Sequence, residues 1–354
     1  MIHLFPIEPI EERYSQDWYR WFPRKLEEHG LSVTIYDGDR IKDFSNTEAL
    51  KTGEFLDAFD THHYKATQLS IFMRQLQAGR IKDNDTVLML DGWNPSVTAL
   101  AYARAVSGIN FKIVLALHAG TWDIHDHLSR CGMRNWAQYN ELGWLLACDS
   151  VIVATEFHRD LIMDTVELVA RTWSQQKTVR NKIHVTGFPL ELGELNGYQV
   201  PWDKKKNQVV FPHRIAPEKA PEIFEEVKAI YEKMYPEDKL KWVRTQDVLK
   251  SLTGPVKPQF YKTLAESKVA FSSALQETWG IAQLEAWYLT ASPVVPDRLS
   301  YRELYPADTK YDDLETAANM IHEITYGKSP IPFEPTTDPR NVWPDIIKIL
   351  KGDA

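Results

Sequence analysis

Short apolar runs recur along this chain at intervals that leave room for one helix between successive runs. That alternation constrains the fold more than any other feature. Residues 32–36 (SVTIY), 86–90 (TVLML), 111–117 (FKIVLAL), 150–154 (SVIVA) and 182–186 (KIHVT) read as strands. Strands this short and apolar, separated by helices, lie parallel in a sheet covered on both faces. Ligands of such sheets sit beyond the carboxyl ends of the strands. Asp91 and His118 fall there, each directly after a strand.

The period breaks between 189 and 207, where Gly193, Gly197, Pro201 and the run Lys204, Lys205, Lys206 intervene. A second α/β pattern follows. Residues 208–212, 241–244, 269–272 and 293–296 read as strands, and 220–235, 260–267 and 280–289 as helices. A closing helix is expected after Asn341 (NVWPDIIKILKG). The expected division is an N-terminal Rossmann-like lobe over 1–190, a solvated hinge over 191–206, a C-terminal lobe over 207–335 and a closing helix over 336–354. With 354 residues, two domains also agree with a prior of roughly 150 residues each.

Composition narrows the class. Apolar residues make up 44% and charged residues 25%, which excludes disordered, collagenous and coiled-coil chains. No stretch has the apolar length of a bilayer span, and the start (MIHLFPIEPIEERYS) lacks a basic-then-apolar leader. Two cysteines, Cys131 and Cys148, are too few for a disulfide framework. The expectation is a cytoplasmic protein, in the host's cytoplasm if a phage encodes it, with no membrane partner. A net charge of −8 argues against coating nucleic acid by bulk electrostatics and leaves room for a local basic groove.

Two segments carry chemistry. In FPHRIAPEKAPEIF (211–224) a strand leads into Arg214, and Lys219 stands just before an amphipathic helix. A planar guanidinium fork and a compact ammonium suit a diphosphate, and a helix start adds attraction for anions. In isolation the same words also describe a solvated basic loop. In SSALQETWGIAQLEAWYLTASPVV (272–295) Glu277 lies on a loop after a strand, Gly280 opens a helix and Glu285 sits within it. Ionised carboxylates accept hydrogen bonds from hydroxyls, so the two acids could hold a sugar and a ribose. Alternatively Glu277 complements the helix dipole and Glu285 is a surface residue.

Taken together, R-x4-K followed by E-x7-E, with a Gly three residues after the first Glu and a Pro-Val-Val strand beyond, resembles the retaining nucleotide-sugar glycosyltransferases of GT-B fold. The likeness covers about the last 150 residues well and the first lobe in outline. The words Pro212-His213-Arg214 and 301–306 (YRELYP) are also similar to the tRNA-queuosine mannosyltransferase group. HLFPIEPIEERYS, DGWNPSV, LHAGTWDIHDHL and ATEFH have the flavour of phage-encoded DNA-modifying glycosyltransferases.

The resemblance implies two Rossmann-like lobes facing a central cleft, with the C-terminal helix closing back. It implies a nucleoside-diphosphate sugar as co-substrate, a UDP-sugar favoured, with no metal and no other cofactor. Arg214 and Lys219 would bind the diphosphate and stabilise the leaving charge. Glu285 would hold ribose hydroxyls and Glu277 the sugar's. Backbone amides of Thr278, Trp279 and Gly280 would add donors, and His118 would face the sugar. Asp91, Trp93, His118 and Asp123 would line the acceptor side. The acceptor would be a hydroxyl on a nucleic-acid base, with a 5-hydroxymethylated pyrimidine of phage-type DNA favoured and tRNA as the alternative. A glycan or lipid acceptor, or a non-catalytic nucleotide-sugar binder, are the rival readings. One departure is that Pro6-Ile7-Glu8-Pro9 replaces the Gly-Gly loop usual after the family's first strand. The His and Asp cluster at 118–127 fits no zinc-finger or HExxH spacing. His62 and His63 read as polar surface or acceptor cleft. Trp93, Trp122 and Trp136 read as core, with base stacking as the other possibility.

Overall fold

A computed structural model describes residues 1–10, 13–41, 57–250 and 256–353. The chain divides into two compact units, Met1–Phe188 with Val342–Ala354, and Pro189–Asn341.

In the first unit the elements run β1 (Ile2–Phe5), α1 (Tyr14–Glu28), β2 (Val33–Ile35), α2 (Ala58–Gln77), β3 (Thr86–Met89), α3 (Ser96–Ser107), β4 (Lys112–Ala116), α4 (His127–Arg130), α5 (Arg134–Ala147), β5 (Ser150–Val153), α6 (Glu156–Val169), α7 (Trp173–Lys182) and β6 (Ile183–Val185). The strands form one parallel sheet in the order β2-β1-β3-β4-β5-β6. β3, β4 and β5 are buried along nearly their whole length, which is why such segments read as almost unbroken apolar runs. Its core joins Phe5, Val87, Met89, Ile113, Leu115 and Val151 to helix residues such as Phe72 and Ile162.

The second unit runs β7 (Lys206–Phe211), α8 (Pro221–Met234), β8 (Lys241–Arg244), α9 (Thr245–Lys250), α10 (Val256–Glu266), β9 (Ser267–Phe271), α11 (Ile281–Tyr288), β10 (Ser292–Pro296), α12 (Tyr301–Leu304), β11 (Lys310–Tyr311) and α13 (Leu314–Tyr326). Its parallel sheet has the order β11-β10-β9-β7-β8. The expected α/β architecture holds in both units.

The last helix, α14 (Trp343–Lys351), groups with the first unit. Trp343 packs edge-on against Trp21 and Phe22 of α1, and the Leu350 carbonyl accepts from Thr86 Oγ1 at 3.3 Å. The expected hinge reads differently. Residues from Pro189 onward belong to the second unit, and Lys205 is buried rather than solvated. Its ammonium donates to the carbonyls of Ala265 (2.5 Å), Ser267 (3.0 Å) and Leu289 (2.9 Å). Burial pushes its amine down to about 7. Three carbonyls, two at the junction of α10 and β9 and one just after α11, are satisfied by one side chain, which a run of identical lysines hides. Among the described residues no helix is long and apolar enough to cross a membrane.

Candidate active site

In open parallel sheets the binding crevice lies where strand order reverses. In the second unit that point falls between β7 and β9, since β7 leads outward to β8 while β9 leads the other way to β10. The loop after β7 carries Arg214 and Lys219, and the loop after β9 carries Glu277. Topology alone therefore places the two chemical words side by side.

The two loops are stitched together by backbone and side-chain bonds. The amides of Leu275 and Gln276 donate to the Glu218 carbonyl at 2.9 and 3.2 Å. Ser273 Oγ lies 2.9 and 2.8 Å from the carbonyls of Lys219 and Ala220. That bracing holds Ala220 at φ 46°, a left-handed conformation unfavourable for a residue with a Cβ, just before Pro221 opens α8. From the β10 side, Arg298 donates to the carbonyls of Ser273 (2.8 Å) and Ala274 (3.1 Å).

On this frame Lys219 Nζ sits 3.1 Å from Glu277 Oε2 and donates to the Gln276 carbonyl at 2.6 Å. The other oxygen, Glu277 Oε1, accepts from the Gly280 amide at 2.9 Å and the Trp279 amide at 3.5 Å. Burial pushes the Glu277 carboxyl up, but the Lys219 charge and these hydrogen bonds outweigh it and leave the group below the ordinary carboxylate range. Gly280 makes this possible. At φ 78° it turns the amides back toward Glu277 and caps α11. Two of the three amides expected to serve phosphate or sugar, those of Trp279 and Gly280, are thus engaged by Glu277 itself. Thr278 and Trp279 are buried, and Trp279 Nε1 has no partner among the described residues.

Arg214 pairs with Glu218 through both Nε (2.9 Å) and Nη2. Glu218 is almost fully buried and was not among the sequence candidates. His213 is neutral. Burial, with the Lys219 charge adding to it, pushes its imidazole down to about 3. Its Nε2 lies 2.8 Å from Ser272 Oγ, which in turn lies 2.7 Å from the Tyr301 hydroxyl. Glu285 lies on α11, where the Tyr261 hydroxyl donates to its Oε1 at 3.2 Å.

The first unit has its own reversal point between β1 and β3, flanked by the loops bearing Glu8 and Asp91. Asp91 pairs with the buried Lys65 at 2.7 Å, and Lys65 also donates to the Trp93 carbonyl at 2.8 Å. Buried Glu8 accepts from Thr61 Oγ1 at 2.6 Å through Oε1, and its Oε2 has no partner among the described residues. Lys65 and Glu8 were not among the sequence candidates, because a lysine inside an amphipathic helix and a glutamate between prolines carry no motif. His118 Nε2 lies 2.8 Å from the Leu90 carbonyl, so that nitrogen bears the proton. Burial lowers its basicity, with Asp91 opposing, and its ring packs on Tyr14, Trp18 and Phe188.

Asp123 is buried and accepts from the His125 amide at 2.8 Å, a local turn contact. The Trp93 indole donates to Glu141 at 2.7 Å. Trp122 is buried as expected of core. Trp136 departs from that expectation and is exposed on α5.

No known family model matches the chain. A tRNA-queuosine alpha-mannosyltransferase from Drosophila melanogaster is 24% identical over 216 residues, 52% of this chain and 57% of that protein. The chain therefore spans little more than half of that relative's length. Among solved structures, the catalytic domain of starch synthase IV from Arabidopsis thaliana, bound to ADP and acarbose, superposes with a TM-score of 0.60 at 10% identity. It covers 99% of this chain and 98% of that one. Sucrose-phosphate synthase from Thermosynechococcus elongatus superposes at 0.56 with 14% identity, over 99% and 94%. With two parallel sheets and these whole-chain superpositions, the chain has the GT-B fold.

Proposed function

We propose that the chain is a glycosyltransferase that moves a sugar from a nucleoside-diphosphate sugar to a hydroxyl on a modified base of a nucleic acid, with retention of configuration. The observation that carries this reading is the meeting of Arg214, Lys219 and Glu277 at the β7/β9 reversal point, with Lys219 3.1 Å from Glu277. The similarity to a tRNA-queuosine alpha-mannosyltransferase supports the acceptor class. The bound ADP of the starch synthase IV domain is in keeping with a nucleotide donor.

Cleaving the glycosyl–phosphate bond leaves positive charge on the sugar and negative charge on the departing diphosphate. Catalysis gains most from cations already fixed where that negative charge grows. Buried Glu218 fixes the Arg214 guanidinium, and Glu277 fixes the Lys219 ammonium. Neutral His213 adds no competing charge. Glu277 and Glu285 then accept hydrogen bonds from donor hydroxyls. Same-face attack by the acceptor hydroxyl, through an oxocarbenium-like state, delivers its proton to the leaving phosphate.

Incubation with UDP-, GDP- and ADP-sugars, followed by measurement of nucleoside diphosphate release, tests the reaction. Added tRNA, hydroxymethylated DNA and unmodified DNA sort the acceptor. Release that rises with one nucleic acid, and a mass increase of one sugar on a nucleoside digested from it, is expected. No release from any donor would overturn the activity, and indifference to every nucleic acid would overturn the acceptor.

A further inference from the structure

The His213 ring ends a buried series of polar groups that begins in the interior of the second unit. Tyr301, at the start of α12, and Ser272, directly after β9, are fully buried, and His213, two residues past β7, keeps 5% of its surface exposed. The Tyr301 hydroxyl lies 2.7 Å from Ser272 Oγ, which lies 2.8 Å from His213 Nε2. The Ala274 amide donates to the same serine oxygen at 3.4 Å. Ser272 is itself fixed through its backbone. Its amide donates to the Val294 carbonyl at 3.0 Å, and its carbonyl accepts from the Tyr311 hydroxyl at 2.9 Å.

The protons of this series have one complete arrangement. A serine hydroxyl has one proton to give and two lone pairs, and a neutral imidazole has one protonated and one bare nitrogen. Suppose that Tyr301 donates to Ser272 Oγ. That oxygen then also accepts from Ala274 and gives its own proton to a bare His213 Nε2, so every group is used. In the reverse direction His213 Nε2 donates to Ser272 and Ser272 donates to Tyr301. The phenol proton is then left in the interior with no acceptor among the described residues, which costs the full desolvation of that group. The first arrangement wins. Because the bond made by one ring nitrogen decides the state of the other, it leaves the proton on Nδ1.

Nδ1 is open where Nε2 is engaged. It makes no hydrogen bond among the described residues, yet it is not sealed from solvent as both ring nitrogens of His158 are. His213 directly precedes Arg214, and beyond burial the charges of Lys219, Glu277 and Arg214 act on its ring. Lys219 and the amides of Trp279 and Gly280 already donate within the protein, to Glu277 and the Gln276 carbonyl. An N–H can only donate, and the cations beside it select an anion as its acceptor.

We propose that His213 Nδ1–H donates a hydrogen bond to a phosphoryl oxygen of the donor diphosphate, with Ser272 and Tyr301 as positioning residues that keep the proton on that nitrogen. The ring gives a hydrogen bond and retains its proton. It acts as a fixed neutral dipole where negative charge grows. This deepens the donor-site reading above and rests on it.

Two substitutions separate the ring nitrogens. Counted from Cβ, an asparagine amide nitrogen stands where Nδ1 does, and a glutamine one where Nε2 does. His213→Gln is therefore expected to weaken binding of UDP, GDP or ADP by about tenfold or more, the usual worth of a hydrogen bond to a charged group. His213→Asn is expected to restore most of it. Calorimetry on the full chain reads both. Long-range nitrogen–proton NMR of the parent, labelled at its histidines, should show a protonated Nδ1 and a bare Nε2 for His213. The opposite tautomer overturns the proposal whether or not the variants fold. Tyr301→Phe should mix the two tautomers in that spectrum and weaken diphosphate binding less than His213→Gln does. An unmixed spectrum removes the positioning role of Tyr301. Equal binding by the parent and His213→Gln overturns the proposal and leaves the donor site standing. A parent that binds none of the three diphosphates overturns the donor-site reading and this role with it, so the two failures appear in different proteins.

Discussion

Lys219 and Glu277 each depend on the other. Removing the ammonium leaves a carboxylate in a poorly hydrated site with two backbone amides as its remaining support, and unpaired buried charge is costly. Lys219→Ala is therefore expected to act twice. Transfer should fall by about 10²–10³-fold, the usual scale for losing one preorganised group at a developing anion. The Glu277 carboxyl should titrate higher than in the parent, because its largest favourable charge is gone. Steady-state rates across pH check both effects, and near-parental turnover would remove Lys219 from the mechanism. Glu218→Gln is the complementary change. It keeps shape and hydrogen bonding but removes the charge that orients Arg214, so a higher donor KM is expected with a smaller effect on kcat. If Glu218→Gln binds nucleoside diphosphate like the parent by calorimetry, Glu218 has no positioning role.

At the scale of elements, the turn from Glu277 to Gly280 governs where the site's acid points. A methyl group at Gly280 would stand 3.5 Å from Glu277 Cγ, so space permits it, but φ 78° does not suit an L side chain. Gly280→Ala should cost about 1–2 kcal/mol of stability, the scale of left-handed strain, measured by urea unfolding. It should also raise donor KM, because relaxing φ swings the two amides away from Oε1. Loss of stability without change in KM would mean that the turn supports the fold and not the site. This turn was legible beforehand, since a Gly three residues after Glu277 at a helix start is a positional signal. So were the runs that became β3, β4 and β5, because burial on both faces leaves a nearly uninterrupted apolar word. β1 was not. His3 breaks its run, and the pairing that makes a buried histidine tolerable, with Tyr36 at 3.0 Å and Asp85 at 3.1 Å, lies 33 and 82 residues away. β11, two residues long, is too short to show a period. Lys205, Lys65 and Glu218 were hidden for a shared reason, as their meaning lies in burial and in partners that only the folded chain supplies.

Across the whole molecule, buried neutral histidines set the response to acid. His158 in the first unit and His213 in the second are both held down to about 3 by burial, far below the ordinary value near 6.5. Between about pH 6.5 and 3 the unfolded chain takes up a proton at each of these positions that the folded chain refuses. Stability therefore falls as pH drops through that window and is fully present above it. Each group contributes about 2 kcal/mol of loss between pH 7 and 5. Carboxyls held low in the fold, Asp85 and Glu277 among them, add losses of their own only further down, near and below their unfolded values, so the histidine effect can be read first. His158 isolates it, because neither ring nitrogen has a hydrogen-bond partner among the described residues and an apolar ring in its place sacrifices no hydrogen bond there. His158→Phe is expected to match the parent at pH 7 to within about 1 kcal/mol, the tolerance of a near-isosteric core exchange. The variant should then become the more stable protein by about 2 kcal/mol at pH 5. Urea midpoints of both proteins at half-unit steps from pH 7.5 to 4.5 would show the curves diverging below pH 6.5. Curves that stay parallel would mean that His158 already carries its proton, or finds a partner, in the folded chain.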